Sequence, residues 1–168
     1  MAALIDTSRA GVWMFADSPE GKVLHCVALY DRGRDVMLRA PDLYQVDVGV
    51  YIDELLREGF ILAPDARTHP ATAICNAGYL IPNDIHSVLE VGFSVNGVVC
   101  GTFSCEQTGG RQEWTQRQLQ LLRHIGSRAS LALMNAAAAQ IDTAPGALWE
   151  PSSPNRLTMS APLEPKDP

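Results

Sequence analysis

The stretch "SVLEVGFSVNGVVCGTFSCEQTG" at 87–109 carries two carboxylates, Glu90 and Glu106, among apolar and small side chains. A carboxylate taken out of water must be hydrogen-bonded, paired or protonated, because an isolated buried charge costs several kcal/mol. For Glu90 two partners suit: the donor group of a bound small molecule, or an arginine such as Arg67. Asn96-Gly97 is the strongest short hairpin signal a sequence offers. A two-residue turn sets Val95 opposite Val98, and alternation by twos then predicts two faces. His86, Val88, Glu90, Gly92 and Ser94 fall opposite Val99, Gly101, Phe103 and Cys105. Ser87, Leu89, Val91, Phe93 and Val95 fall opposite Val98, Cys100, Thr102, Ser104 and Glu106, with Glu106 reading as a solvated strand-end residue.

The first of these faces combines an acid, an imidazole, an aromatic ring and a thiol with two glycines that clear space beside them. An apolar lining with a few convergent polar groups is what a ligand pocket needs. The competing reading is that Gly92 and Gly101 only admit a packed helix. The irregular stretch through Asn76 and Tyr79 is the long segment available as a roof, and such loops in compact domains are often functional. The expected ligand-lining set is therefore Asn76, Tyr79, His86, Glu90 and Phe103, around a cavity beneath the segment from Tyr51 to Leu80. Other chemistries lack their spacing. The histidines (His25, His69, His86, His124) are scattered, with no Ser/His/Asp triad and no HExxH run. "QTGGRQ" is a glycine loop without the Lys-Ser/Thr of a phosphate cradle. No catalytic residue and no metal ligand is assigned.

The elements that must position these residues follow from periodicity. "RAGVWMF" and "KVLHCVALYD" predict strands joined through "DSPEG". "VYIDELLREG" predicts a short helix ended by Gly59, and "FILAPDA" a strand stopped by Pro64. "RTHPATAICNAGYLIPND" reads as a loop or short helical stretch before the hairpin. "EWTQRQLQLLRHIGSRASLALMNAAAAQI" opens with Thr115 and Gln118, a capping box. Leu119, Leu122, Ile125, Ala129 and Leu133 then make one apolar stripe. This order implies an α+β fold, a central antiparallel sheet flanked by helices. Residues 1–141 form the domain. Residues 142–168 hold Pro145, Pro151, Pro154, Pro162, Pro165 and Pro168, six of the eleven prolines, and no regular period. They read as a disordered, dispensable tail.

A chain of 168 residues suits one domain with a sizeable core, and 46% apolar residues is ordinary for one. A net charge of −6 argues against a nucleic-acid partner. No apolar run approaches the roughly 20 residues of a membrane span. Asp6 and Arg9 stand where a signal peptide's apolar stretch would be. The four cysteines (Cys26, Cys75, Cys100, Cys105) form no CxxC and read as reduced thiols, so the expected compartment is the cytoplasm.

Three stretches together resemble the GAF domains of bacterial signalling proteins, the sensors of histidine kinases and diguanylate cyclases. "TSRAGVWMF" is similar to their opening strand. "PDARTHPATAICNAGYL" resembles an Asp-Ala-x-x-Asp-Pro-x-Thr…Tyr-Leu segment, with His69 where Asp is usual. "HSVLEVGFSVNGVVCGTFSCEQTGGRQEWT" resembles a run ending Glu-His-x-Gly…Arg-x-Trp-Thr, with Gly92 for a usual Pro and Gln107 for the usual His. The resemblance implies a non-catalytic module of PAS-related fold that senses a small molecule of unknown identity, with a homodimer formed through the last helix. It puts Glu90 on the strand that faces the chromophore in related phytochromes, and Asn76 at a position where those keep a histidine. No Cys-His pair is present for a covalent bilin, and His86 lies one step past the position of a haem ligand, so no cofactor is named. The enzyme alternative is a free methionine sulfoxide reductase using Cys75 as a low-pKa thiolate. That family's Ala-Cys-Asp-x-x-Ser-Arg-Ser-Glu run is absent. A further alternative is a ligand-free protein-interaction module.

Overall fold

The computed structural model describes residues 1–141 and 162–166. In chain order these form helical turn α1 (Ala2–Ile5), β1 (Arg9–Ser18), β2 (Gly21–Asp31), β3 (Val36–Arg39), β4 (Leu43–Tyr44) and α2 (Gln45–Glu58). Then come β5 (Phe60–Ala63), a 3-10 turn at Ala73–Cys75, a π-helical turn at Asn76–Leu80, β6 (Ile85–Val95), β7 (Val98–Thr108), α3 (Gln116–Ile141) and β8 (Glu164–Pro165). Among the described residues the strands make one eight-stranded sheet, ordered β5-β6-β7-β1-β2-β3-β8, with β4 also on β2. Every pairing is antiparallel. The α+β architecture expected from the sequence is therefore present, with α1, β3 and β4 as additions.

Local chemistry explains the boundaries. Asn96 and Gly97 both take positive φ (52° and 79°), the pair of left-handed residues that a tight hairpin turn requires. Gly59 ends α2 at φ 73°, its N–H returning to the Leu55 carbonyl. At the start of α3 the Thr115 amide donates to Gln118 Oε1 (2.8 Å) and the Gln118 amide to Thr115 Oγ1 (3.2 Å), the reciprocal capping box.

The sheet is covered on both faces. One face buries Trp13, Leu24, Leu29, Leu38 and Val88 against Tyr51, Ile52 and Leu55 of α2 and against Tyr79 and Leu80. The other buries Leu89, Val91 and Cys105 against Ile5, Trp114, Leu119 and Leu122. Each fully buried leucine or isoleucine contributes about 1.5–3 kcal/mol by leaving water.

Two expectations are corrected. The hairpin register is regular only as far as Ser94↔Val99; Phe93 then pairs with Gly101, so Cys100 is an extra residue in β7. This bulge moves every later β7 side chain to the opposite face, setting Glu90 opposite Ser104 rather than Phe103. The second correction concerns the tail. Residues 142–161, 167 and 168 lie outside the described residues, but 162–166 do not lack structure. They add β8 to the edge of β3, Leu38 opposite Pro165 and Arg39 opposite Glu164.

Candidate functional site

Because of the bulge, Glu90 on β6 and Glu106 on β7 share the face that looks toward α2. Both are 3% exposed. In α2, helical spacing turns Tyr51, Ile52 and Leu55 inward. The Tyr51 hydroxyl donates to Glu90 Oε2 at 2.7 Å. The π-helical turn delivers Tyr79 in the same way, its hydroxyl donating to Glu106 Oε1 at 2.7 Å. Single π-helical turns are found frequently at functional sites. Beside Glu106, Arg9 Nη1 stands 3.9 Å from Oε2 while Arg9 Nε holds Asp31 Oδ2 at 3.0 Å. Trp13 completes the floor. Its indole N–H donates to Ser104 Oγ at 2.9 Å, and its ring meets that of Tyr79 edge-on at 6.5 Å. Gly11 makes room for this bond, since a Cβ there would lie 2.5 Å from Ser104 Oγ.

Between these groups remains a cavity of about 20 Å³, bounded by Trp13, Tyr51, Cys75, Tyr79, Glu90 and Glu106. That is space for about one water molecule. Burial dominates its electrostatics. It pushes the Glu90 carboxyl up to about 8, against the lowering effect of the Tyr51 hydrogen bond, and nearby Glu106 adds to the rise. Burial also raises Glu106, with Tyr79 and Arg9 opposing. Both phenols sit well above their ordinary value, chiefly through burial. Burial, then Glu90, lifts the Cys75 thiol to about 12. Among the described residues, Glu106 Oε2 and Thr102 Oγ1 on this face are buried without a hydrogen-bond partner. A carboxyl near neutrality and a surplus of acceptors complement a small donor-bearing group.

Of the residues expected to line the site, the structure brings Tyr79 and Glu90 to the cavity. Asn76 lies behind the roof, its amide donating to the Arg67 carbonyl at 2.8 Å. His86 is partly exposed and contacts Asp84 at 2.9 Å. Phe103 lies on the other face, 5.1 Å from Phe93 in the core beneath α3. Arg67, the rival partner for Glu90, instead donates to the Ile85 carbonyl (2.9 Å) and to Asp84 (3.3 Å). Gly101 opens no pocket either: a Cβ there would overlap the Trp13 carbonyl and the Phe93 ring. The residues that sequence reasoning missed are Tyr51, Trp13 and Glu106. Tyr51 was signalled by its spacing to Ile52 and Leu55; Glu106 was hidden by the bulge. A larger open cleft of about 380 Å³ lies at the strand ends beside Asp6, Asp31, Arg32, Gln107 and Gln112. Asp31 in its lining is also the ion-pair partner of Arg9, which stands beside Glu106.

A family model described as GAF domain matches residues 1–133. No curated protein matches the chain. Among solved structures, the blue-light absorbing form of the Thermosynechococcus elongatus PixJ GAF domain is similar at 17% identity and TM-score 0.65, over 84% of this chain and 82% of that one. The phycocyanobilin-bound GAF domain from a cyanobacterial phytochrome is similar at 14% identity and TM-score 0.65, over 82% and 80%. The GAF domain from an Acinetobacter phosphoenolpyruvate-protein phosphotransferase gives 13% identity and TM-score 0.58, over 83% and 78%. At these identities the likeness is one of fold.

Proposed function

The chain belongs to the GAF domain family, and from that premise we propose that it is a non-catalytic sensing domain of cytoplasmic signal transduction. Its ligand-responsive centre is the cavity held by the Glu90–Tyr51 and Glu106–Tyr79 pairs. The observation that carries this reading is the pairing itself. Two buried carboxyls on the sheet are each held by a phenol from a separate roofing element. A ligand donor that replaces either phenol frees that roofing element, which converts binding into movement.

The ligand class this favours is small, polar and donor-bearing. A bilin, which the similar phytochrome domain holds, does not fit these residues. The interior space is about 20 Å³ and Cys75 is followed by Asn76, with its thiol raised to about 12. The same raised thiol opposes the sulfoxide reductase reading, which needs a thiolate near neutral pH. The small cavity favours one second reading, a ligand-free protein-interaction module. Dimerisation through the distal part of α3, which exposes Leu131 and Met134, is also proposed. Light scattering of Leu131→Glu beside the parent chain tests it, a dimer that persists in the variant refuting that interface.

Native mass spectrometry of the protein purified from its own host separates the two main readings. A stoichiometric small-molecule adduct, lost in a folded Glu90→Gln variant, is the expected result. An adduct-free protein, or an adduct indifferent to Glu90→Gln, means that this centre is not a ligand site.

A further inference from the structure

The segment after residue 161 is rich in proline, yet it is seated on the domain. Leu163 is 9% exposed and belongs to the same core cluster as Tyr51 and Tyr79. Its backbone N–H donates to Asn83 Oδ1 at 2.7 Å. The Asn83 amide in turn donates to the Tyr79 carbonyl at 2.9 Å. Asn83, itself buried, thus clips the segment to the π-helical turn that roofs the cavity. The Lys166 amide donates to the Met37 carbonyl at 2.8 Å, its ammonium to the Val27 carbonyl at 3.3 Å, and Glu164 stands opposite Arg39. Backbone bonds at Leu163 and Lys166 and the strand pairing fix the segment's position, and Leu163 is its one buried side chain among residues 162–166.

We propose that the β3 edge and Asn83 form a recognition groove for an extended Pro-Leu-Glu-Pro-Lys peptide. The chain's own C-terminal segment fills this groove in cis, and in doing so it locks the roofing turns that carry Cys75 and Tyr79 over the cavity. The physical case has three parts. A strand edge offers unpaired amides and carbonyls, and adding a peptide strand satisfies them. Prolines at 162 and 165 hold the segment extended before it docks, which reduces the order lost on binding. Pro165 also lacks an N–H, so the segment ends the sheet instead of templating another strand. Leu163 supplies the apolar anchor and Asn83 the coupling to the roof.

The closure is read by the rate at which a thiol reagent labels Cys75, which is buried against the cavity; peptide mapping distinguishes it from the other cysteines. The full chain is compared with its Leu163→Asp and Leu163→Ala variants, circular dichroism checking that each stays folded. In both variants Cys75 labelling is expected to rise at least tenfold. A fluorescent synthetic peptide of residues 160–168 is expected to bind the Leu163→Asp chain and not the parent, and to restore Cys75 protection. The same peptide carrying the Leu163→Asp change is expected to do neither. Unchanged labelling in folded variants, or no peptide binding to the Leu163→Asp chain, overturns the proposal. Parent-chain protection that is lost on dilution overturns closure in cis, since the segment would then come from a second copy. Because Cys75 labelling needs no ligand, its outcome is independent of whether an adduct is found in the native protein.

Discussion

Glu90 is the residue on which the chemistry of the cavity turns. Its carboxyl is pushed from an ordinary 4.5 up to about 8, so the folded chain favours its neutral form. The stability that this protonation contributes is full below about pH 4.5 and is lost as pH rises toward 8, by at most about 1.4 kcal/mol per pH unit. Glu106, also raised, acts in the same direction. Glu90→Gln should therefore flatten the fall in unfolding free energy between pH 5 and 8, measured by urea titration. An unaltered slope would show that Glu90 is ionised in the folded chain throughout. Tyr51→Phe removes the one hydrogen-bond donor given to Glu90 Oε2, a loss of roughly 1–3 kcal/mol. The loss should be larger at pH 8 than at pH 5, because the ionised carboxylate depends more on a donor than the neutral acid. Equal penalties at both pH values would contradict a carboxyl that titrates between them.

Among the elements, α3 does most to hold the sheet's second face, and its first turn is tied down twice. The capping box joins Thr115 to Gln118, and the Gln118 amide reaches the Ile5 carbonyl of α1 at 2.7 Å. Thr115→Ala should cost about 1 kcal/mol. Gln118→Ala should in addition raise hydrogen exchange in α1, where Thr115→Ala has less effect. Identical exchange in α1 for both variants would mean that the Gln118 link contributes nothing. The β7 bulge works at this same scale. By inserting Cys100 it gives the α2 side Thr102, Ser104 and Glu106, and the α3 side Phe103 and Cys105. One extra residue thus separates a polar floor from an apolar one.

Across the whole molecule, the sheet divides two cores, and residues 162–166 belong to the one that holds the cavity. Leu163→Ala leaves a gap there. At the margin of the core this should cost about 1–2 kcal/mol, less than the 2–5 of a central site. For a chain of this size such a loss lowers the melting temperature by roughly 2–8 °C. Calorimetry on the full chain checks this, and an unchanged melting temperature would return the segment to the dispensable tail expected from its composition. Among the described residues no helix is long and apolar enough to cross a membrane.

The sequence by itself determined what local physics decides. Asn96-Gly97 made the hairpin, Thr115 and Gln118 opened α3, Gly59 closed α2, and alternation marked the strands, because each depends on dihedral preferences and neighbours a few residues away. It also singled out Glu90 and Tyr79, an acid in an apolar strand and an aromatic in an irregular stretch. Only the tertiary structure decided the rest. Cys100 is the extra residue where β7 pairs with β6, and the alternation within either strand alone does not mark it. Phe103 and Glu106 exchanged faces as a consequence. Tyr51 rather than Arg67 meets Glu90 because α2 packs over that face of the sheet, while Arg67 is held at the Ile85 carbonyl. Pro162–Lys166 gained order from an edge strand more than 120 residues earlier in the chain, a contact that composition does not encode.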